Sequence, residues 1–190
     1  MALEIERRFL VSDAGWRAHV SWQAELQQGY LLRREDGLTI RVRLQRPDNG
    51  EDRAWLTLKA MADASMPSPA RLEFEYGIPV ADAVALLQLA SWQVSKTRHG
   101  LLLPGGDWVL DVFAGANAPL VIAEVELEHP DDTPPIPSWC GQEVTHLHQL
   151  SNAALAQVPW QSWSDAERNS LIAGATAAME DQRLRRSMEL

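Results

Sequence analysis

The sequence predicts an α+β fold that is mainly β, an eight-stranded antiparallel closed barrel with flanking helices and a C-terminal helix. Eight short segments alternate polar and apolar residues with the two-residue period of a half-buried strand. Turn residues, including Pro-Asp-Asn-Gly at 47–50 and Pro-Gly-Gly at 104–106, separate strands in both halves of the chain. A helical period interrupts the strands at length only once, at residues 80–92. Many short strands joined by turns are typical of a closed antiparallel barrel.

The first strand is predicted over residues 4–11. Its alternation places Glu4, Glu6 and Arg8 on one face and apolar residues with Arg7 on the other. A capping Ser-Asp pair then predicts a short helical turn at residues 12–16.

The next strands are predicted at residues 24–33 and 37–46, and the second of these puts Arg41 and Arg43 opposite apolar neighbours. The Asn-Gly turn predicts that residues 52–60 pair back on it as a hairpin. Residues 71–76 repeat the same alternation. The amphipathic helix at residues 80–92 follows, and the last three strands are predicted at residues 94–103, 107–113 and 120–129.

The C-terminal part is predicted to be helical. A short helix is expected at residues 151–158, and a capping box at residues 164–167 opens a helix that extends to about residue 186. Its loose apolar stripe would pack on the barrel or on a second subunit, so a homodimer is possible. We therefore expect a barrel domain at residues 1–158 and a helical extension at residues 159–190.

The composition is that of a soluble globular protein of 190 residues, with 46% hydrophobic and 23% charged residues. The net charge of -9 argues against nonspecific binding to nucleic acid or anionic membranes, because both favour a basic surface. The single cysteine, Cys140, cannot form an internal disulfide, and we expect it to be a packed small residue. With no apolar run of signal-peptide or membrane-span length, the sequence predicts a cytoplasmic protein.

The charged strand faces allow two arrangements. They either point to water around an apolar core, which composition alone favours, or enclose a charged channel. Arginine and glutamate dominate these faces with few neutral polar residues, which favours the channel. Cations two residues apart suit a polyanion, and two such pairs occur, Arg41 with Arg43 and Lys96 with Arg98. Carboxylates at the same spacing suit a hard divalent cation, and these are Glu4 with Glu6 and Glu124 with Glu126. A phosphate chain with magnesium or manganese would need both.

These motifs resemble a known family. The opening Glu-Ile-Glu-Arg-Arg at residues 4–8 resembles the ExExK signature of the CYTH superfamily, the triphosphate tunnel metalloenzymes. The resemblance continues in order over about four-fifths of the chain, through the motifs at residues 28–31, 41–43, 57–59, 71–75, 96–98, 110–113, 124–126 and 141–145. It implies an eight-stranded barrel whose lumen binds a triphosphate, with one divalent metal, Mg²⁺ or Mn²⁺, bridging phosphates to glutamates and a second activating water.

The resemblance also assigns roles to residues of this chain. The implied metal ligands are Glu4, Glu6, Asp111, Glu124 and Glu126. The implied phosphate-binding residues are Arg8, Arg41, Arg43, Lys59, Arg71, Lys96 and Arg98. Glu73 and Glu75 would support them, and Tyr30 with Arg8 would be the catalytic pair. Arg8 stands where the signature has lysine, which keeps the charge but does not readily lose its proton. One cation of the family pattern is also missing near Gln149.

The implied activity is hydrolysis of a small triphosphate to release phosphate, with inorganic tripolyphosphate the favoured substrate. Two enzymatic alternatives remain open, a class IV adenylate cyclase and a thiamine triphosphatase. A third is a module that binds triphosphate or polyphosphate without turning it over.

Overall fold

The structure is a computed structural model that describes residues 3–61, 71–129 and 131–171. The strands of the described chain form one antiparallel sheet of ten strands. In chain order these are β1 (Leu3–Glu4), β2 (Glu6–Val11), β3 (Val20–Arg33), β4 (Thr39–Pro47), β5 (Arg53–Met61), β6 (Arg71–Gly77), β7 (Trp92–Leu101), β8 (Asp107–Phe113), β9 (Val121–Glu126) and β10 (Cys140–Glu143). The α-helices are α1 (Val80–Leu89) and α2 (Asn152–Gln157). Short 3-10 turns occupy Gly15–His19, Gly115–Asn117, His148–Leu150 and Trp160–Ser162.

The sheet corrects the prediction of an eight-stranded closed barrel. Its strand order is β1-β6-β5-β4-β3-β7-β8-β9-β2-β10, and it is not closed. The predicted first strand divides at Ile5, so that β1 pairs with β6 while β2 pairs with β9. The unpredicted strand β10 adds to the count beside β2. The mainly-β, antiparallel class is confirmed.

One N-terminal segment thus lies against both β6 and β9. Because β6 and β9 are far apart in the strand order, a sheet in which both pair with this short segment must be strongly curved. We call the side of the sheet that carries Arg41, Arg43, Arg98 and Glu124 the charged face. It is the concave side, because Arg98 on β7 interacts electrostatically both with Arg43 on β4 and with Glu6 on β2.

Helix α1 covers part of the opposite, apolar face. Val42, Leu44 and Ala54 pack against Ala83 and Leu87 of this helix, and all five are buried. At its C-terminal end, the amide of Gln93 donates a hydrogen bond of 2.9 Å to the carbonyl oxygen of Leu87. Such a side-chain donor satisfies a carbonyl that has no partner within the helix.

A second apolar cluster covers the same outer face of β2, β8 and β9. Phe9, Trp108 and Trp139 are buried in it, and the rings of Phe9 and Trp108 lie 6.2 Å apart. Alternation therefore turns the neighbouring charged residues of these strands to the concave side.

A third cluster closes one end of the concave side. Tyr30, Phe113 and Ile122 share the charged face by alternation, yet they pack with Leu150 and Leu155 from the C-terminal part of the domain. We call this group the apolar plug. The charged residues are thus backed at one end by a dry, packed core.

The helices predicted near the C-terminus are seen as far as the structure describes them. Helix α2 lies within the predicted residues 151–158. Ser164 and Glu167 form the predicted capping box, because each side chain accepts a hydrogen bond from the backbone N–H of the other residue. The helix begins at residue 165, and its predicted course beyond residue 171 lies outside the described residues. None of the described helices is long and apolar enough to span a membrane.

Candidate active site

One wall of the charged face is built by β4, β5 and β6. Arg43 donates to the Glu75 carboxylate at 2.8 Å, and Arg41 lies 3.4 Å from the same group. The hydroxyl of Thr57, which is fully buried, joins them by accepting from Arg41 at 3.1 Å and donating to Glu75 at 2.8 Å. Next to them Lys59 pairs with Glu73 at 3.1 Å. The structure therefore brings the predicted phosphate-binding and supporting residues of these strands into one network.

Among the side chains of this wall that the structure describes, two donors have no partner. The Nε atoms of Arg41 and Arg43 are buried and make no hydrogen bond. Burial, followed by the charge of Arg41, lowers the pKa of Arg43 to about 10. The guanidinium of Arg43 also lies 4.9 Å from the ring of Trp55, which is on the charged face as its alternation with Lys59 predicts. Unpaired buried donors beside like charges are what an incoming anion would satisfy.

The second wall is organised by Asp111, whose side chain is fully buried. Arg98 donates to its two oxygens at 2.8 and 2.7 Å, and the ammonium of Lys96 donates to one of them. Arg98 also pairs with Glu124 at 2.7 Å, and Lys96 donates to the Asn152 amide oxygen at 3.0 Å. Both carboxylates are thus engaged by cations.

The charged groups of this wall shift one another's pKa values. Burial alone would raise the pKa of Asp111, but Arg98 and Lys96 outweigh it and lower that pKa to about 2. Burial lowers the pKa of Lys96 to about 8 even though Asp111 opposes the shift. Burial alone would lower the pKa of Arg98, but the charges of Asp111 and Glu124 outweigh it and raise that pKa. All three groups are ionised at neutral pH.

The two walls face one another closely enough to interact. The charge of Arg98, on β7, lowers the pKa of Arg43, on β4, and the charge of Glu6, on β2, raises the pKa of Arg98. Repulsion between the guanidinium groups is a cost that a bound anion would remove.

Arg8 occupies the position of the signature lysine but does not extend freely into the site. Its guanidinium donates to the carbonyl oxygen of Leu150 at 3.1 Å and to those of Val144 and Thr145 at 3.4 Å. It lies 3.6 Å from Glu6 and is only 6% exposed. Arg8 therefore fastens the C-terminal segment to β2 while leaving a positive charge beside Glu6.

The predicted metal ligands are only partly brought together. Glu6 and Glu126 are directly opposite across β2 and β9, and Glu124 is opposite Arg8. The side chains of Glu4 and Arg71 lie outside what the structure describes, although their backbones pair. Within the described part of the chain, no three His, Cys, Asp or Glu side chains form a group suited to a metal. The facing carboxylates of Glu6 and Glu126 fit a hard divalent cation by donor type.

Tyr30 lies in the apolar plug rather than in the charged walls. It is buried, and its hydroxyl lies 3.4 Å from the side-chain oxygen of Gln28, which is also buried. Arg41 is opposite Tyr30 on the neighbouring strand. Tyr30 therefore sits where the plug meets the charged face.

Sequence reasoning missed two polar members of the site. The two-residue period does place Thr57 on the same face as Lys59, but residue type alone gives it no role in the site. Asn152 carried no such signal, because its contact with Lys96 joins residues 56 positions apart in the chain. Cys140 is buried as expected, and burial raises the pKa of its thiol to about 12, which rules against a thiolate nucleophile.

Comparison with known proteins gives consistent results. The family model for the CYTH domain matches residues 2–157. The chain is 31% identical over 167 residues to an inorganic triphosphatase of Acetivibrio thermocellus, covering 87% of this chain and all of the relative. It is 35% identical over 158 residues to an inorganic triphosphatase of Nitrosomonas europaea, covering 80% of this chain and 96% of the relative. The crystal structure of an inorganic triphosphatase matches at 34% identity with a TM-score of 0.55, covering 80% of this chain and 97% of that one.

Proposed function

Because the chain belongs to the CYTH domain family, we propose that it is a metal-dependent triphosphatase whose favoured substrate is inorganic tripolyphosphate. Two relatives that it matches over at least four-fifths of its length are named inorganic triphosphatases. The observation that carries the proposal is the pair of buried, unpaired Nε donors of Arg41 and Arg43 on a concave face rich in cations.

In the proposed reaction a water oxygen bonds to the terminal phosphorus. The bridging P–O bond breaks, its electron pair leaves with diphosphate, and the products are orthophosphate and diphosphate with release of a proton. Such reactions depend mainly on positioning and on neutralising the phosphate oxygens. Arg41 and Arg43 bind those oxygens from one wall and Arg98 from the other, assisted by Lys59 and Arg71.

Carboxylates of the charged face keep these cations in place. Asp111 and Glu124 fix the guanidinium of Arg98, and Glu75 fixes those of Arg41 and Arg43. Because its ammonium is already held by Asp111 and Asn152, Lys96 contributes charge from behind Arg98 rather than a free donor. Arg8 contributes charge in the same indirect way, and Tyr30 approaches the substrate from the plug.

The residues that would hold a divalent metal are Glu4, Glu6, Glu124 and Glu126. When bound, Mg²⁺ or Mn²⁺ would neutralise phosphate charge and lower the pKa of an attacking water. Asp111 is better suited to orienting cations than to binding metal, because both its oxygens already accept from Arg98 and Lys96.

Phosphate release from tripolyphosphate, ATP and thiamine triphosphate, each with Mg²⁺, Mn²⁺ or Ca²⁺, tests the proposal. We expect the fastest release from tripolyphosphate and none after chelation of the metal. Glu126→Gln should lower the rate about 100-fold or more, because it removes a carboxylate from the metal site. The exposed Glu128→Gln is the matched control and should retain activity.

Turnover by Glu126→Gln with magnesium at the wild-type rate would contradict the assignment. Formation of cyclic AMP and diphosphate from ATP would instead identify a cyclase. The second candidate function is a non-catalytic triphosphate-binding module, which is favoured by the replacement of the signature lysine by Arg8. It would be supported if tripolyphosphate raised the melting temperature but no phosphate appeared with any metal.

A further inference from the structure

Thr57 lies at the centre of a row of three side chains that crosses the first wall. It is opposite Arg41 on β4 and opposite Glu75 on β6. Neighbouring strands are about 4.8 Å apart, so Arg41 and Glu75 are roughly 10 Å apart at the backbone and can meet only by leaning over β5. The short side chain of Thr57 leaves room for both, and it is fully buried.

The hydroxyl of Thr57 has a fixed orientation between these two charged groups. An ionised carboxylate only accepts hydrogen bonds and a guanidinium only donates them. The hydroxyl must therefore give its single proton to Glu75, at 2.8 Å, and accept from Arg41, at 3.1 Å. Valine has nearly the same shape and the same branching at Cβ, so the hydroxyl is what threonine adds at this position.

Arg41 is held in place without a close partner among the carboxylates of this wall that the structure describes. Its Nη2 atom lies 3.4 Å from Glu75 and 3.7 Å from Glu73, whereas Arg43 pairs with Glu75 at 2.8 Å. Both Arg41 distances exceed the usual range of about 2.7–3.2 Å for an N–H···O hydrogen bond. The shortest contact of this atom is the one to the Thr57 hydroxyl. The attraction between charges falls with distance, so the charge of Arg41 is less completely neutralised than that of Arg43.

We propose that Thr57 is a positioning residue for the triphosphate, because its hydroxyl orients the guanidinium of Arg41 and keeps it from pairing closely with Glu75. The inference rests on the proposed function and adds a neutral residue that acts through Arg41 rather than by touching the substrate. Without the hydroxyl, Arg41 moves onto the Glu75 carboxylate, and less of its charge is available to phosphate oxygens.

Steady-state kinetics of Thr57→Val with tripolyphosphate and Mg²⁺ test this role. We expect KM to rise on the order of tenfold, because one charge-assisted contact with the substrate is weakened. The kcat should stay within about threefold of wild type, since Arg41 binds phosphate charge that is present both before and during the reaction. Thr57→Ser keeps the hydroxyl and should return KM to within about threefold of wild type. A merely structural role would lower stability but would not change the KM of the folded enzyme.

Titration of tripolyphosphate binding by calorimetry, without added metal, separates the action of Thr57 from that of the metal site. Thr57→Val should weaken binding by about the same factor as it raises KM. In an Arg41→Ala background the same change should weaken binding by no more than about twofold further, because the residue through which Thr57 acts is already absent.

Thr97→Val is the matched control. It removes a threonine hydroxyl from the outer face of β7, where Thr97 is half-buried opposite Val112. Its KM and its metal-free affinity should equal those of wild type, because the outer face does not contact the substrate.

A KM and an affinity of Thr57→Val equal to those of wild type would overturn the inference. It would also be overturned if Thr57→Ser behaved like Thr57→Val, or if the loss in the Arg41→Ala background were as large as in wild type. These results would leave the proposed function intact.

Absence of tripolyphosphate hydrolysis by wild type would instead contradict the proposed function, and the metal-free titration would still decide for or against Thr57. A wild-type protein that neither bound nor hydrolysed tripolyphosphate would overturn both.

Discussion

Asp111 shows at the level of a single residue how the site is held together. Its carboxylate is fully buried and accepts hydrogen bonds from both Arg98 and Lys96. A buried pair of this kind need not stabilise the fold relative to apolar residues, but removal of one partner leaves the other charges uncompensated. The integrity of the second wall should therefore depend on this one group.

We expect Asp111→Asn to lower the free energy of unfolding by about 3–5 kcal/mol, because the charges of Arg98 and Lys96 lose their buried counterion. Urea unfolding at pH 7 measures the change. Asp107→Asn, at an exposed position of the same strand, is the control and should lie within about 0.5 kcal/mol of wild type. Equal stability of the two variants would show that Asp111 does not organise the wall.

The pH dependence of the free energy of unfolding follows from the same residue, Asp111. Its pKa is about 2 in the folded protein, below the usual value near 3.9, so the unfolded state binds more protons between these limits. The contribution to stability is present above pH 4, is lost as pH falls from about 4 to 2, and amounts to about 2–3 kcal/mol. Acid titration of unfolding should show this loss in wild type and a flatter curve in Asp111→Asn. Parallel curves over that window would contradict the assignment.

Arg8 illustrates what residue type alone could not predict. The signature predicts a cation beside Glu6, and Arg8 lies there in the structure. The contacts of Arg8 with the carbonyl groups of Val144, Thr145 and Leu150, however, join residues more than 130 positions apart in the chain. No alternation within β2 carries that information. By contrast, the shared face of Arg41 and Arg43 follows directly from the two-residue period.

Arg8→Met should destabilise the protein by about 1–3 kcal/mol, because buried carbonyl oxygens lose their donors. Arg8→Lys should recover only part of this, since one ammonium cannot span the three carbonyls as a guanidinium does. Urea unfolding is the measurement. Arg7→Met is the matched control, because Arg7 forms a more exposed ion pair with Glu143. This change should lower the free energy of unfolding by no more than about 1 kcal/mol. If Arg8→Lys matched wild type, the guanidinium geometry would be irrelevant.

At the scale of elements, the alternation of the strands predicted the face that each residue occupies better than it predicted how many strands there are. β4, β5 and β6 lie within one or two residues of their predicted bounds. The division at Ile5 and the strand β10 depend on partners far along the chain, and neither leaves a local pattern. For the same reason the sequence could not decide between a closed barrel and the open order observed.

Gly29 explains how β3 fits beneath α1. A Cβ at this position would lie 2.7 Å from the Cβ of Ala90 and 3.0 Å from a methyl group of Leu87. Gly29 also separates Gln28 and Tyr30, which point to the charged face. Gly29 therefore allows close packing against α1 on the apolar side, while Gln28 and Tyr30 contribute to the charged face.

Gly29→Ala should lower the free energy of unfolding by about 1–3 kcal/mol, because the added methyl group overfills the contact with α1. Gly77→Ala is the control, since a Cβ atom there would have no neighbour within 4 Å and the φ of Gly77 is not in the left-handed region. That variant should be as stable as wild type or slightly more stable. Urea unfolding compares them, and equal stability of Gly29→Ala and wild type would mean that α1 moves away without cost.

At the scale of the whole molecule, the net charge does not describe the charge of the site. The protein carries a net charge of -9, yet its concave face gathers cations from at least three strands. The net charge argues against a nonspecific polyanion-binding surface and gives no information on the site. The ordered motifs predicted the site because alternation within them defines which charged residues share a face. The order of the strands in the sheet was also needed, because it brings those faces together.

Tripolyphosphate should stabilise the folded protein by relieving the repulsion among these cations. At about 100 times the dissociation constant, ligand binding adds about 2.7 kcal/mol, which corresponds to roughly 5–10 °C in the melting temperature of a protein this size. Arg43→Ala should weaken binding about 10- to 100-fold, because charge-assisted hydrogen bonds are lost, and so reduce the shift at a fixed ligand concentration. Arg34→Ala removes an exposed arginine paired with Asp36 and should keep the full shift. Thermal unfolding without added metal isolates the cations from the metal site, and an identical shift in both variants would place the bound anion outside the charged face.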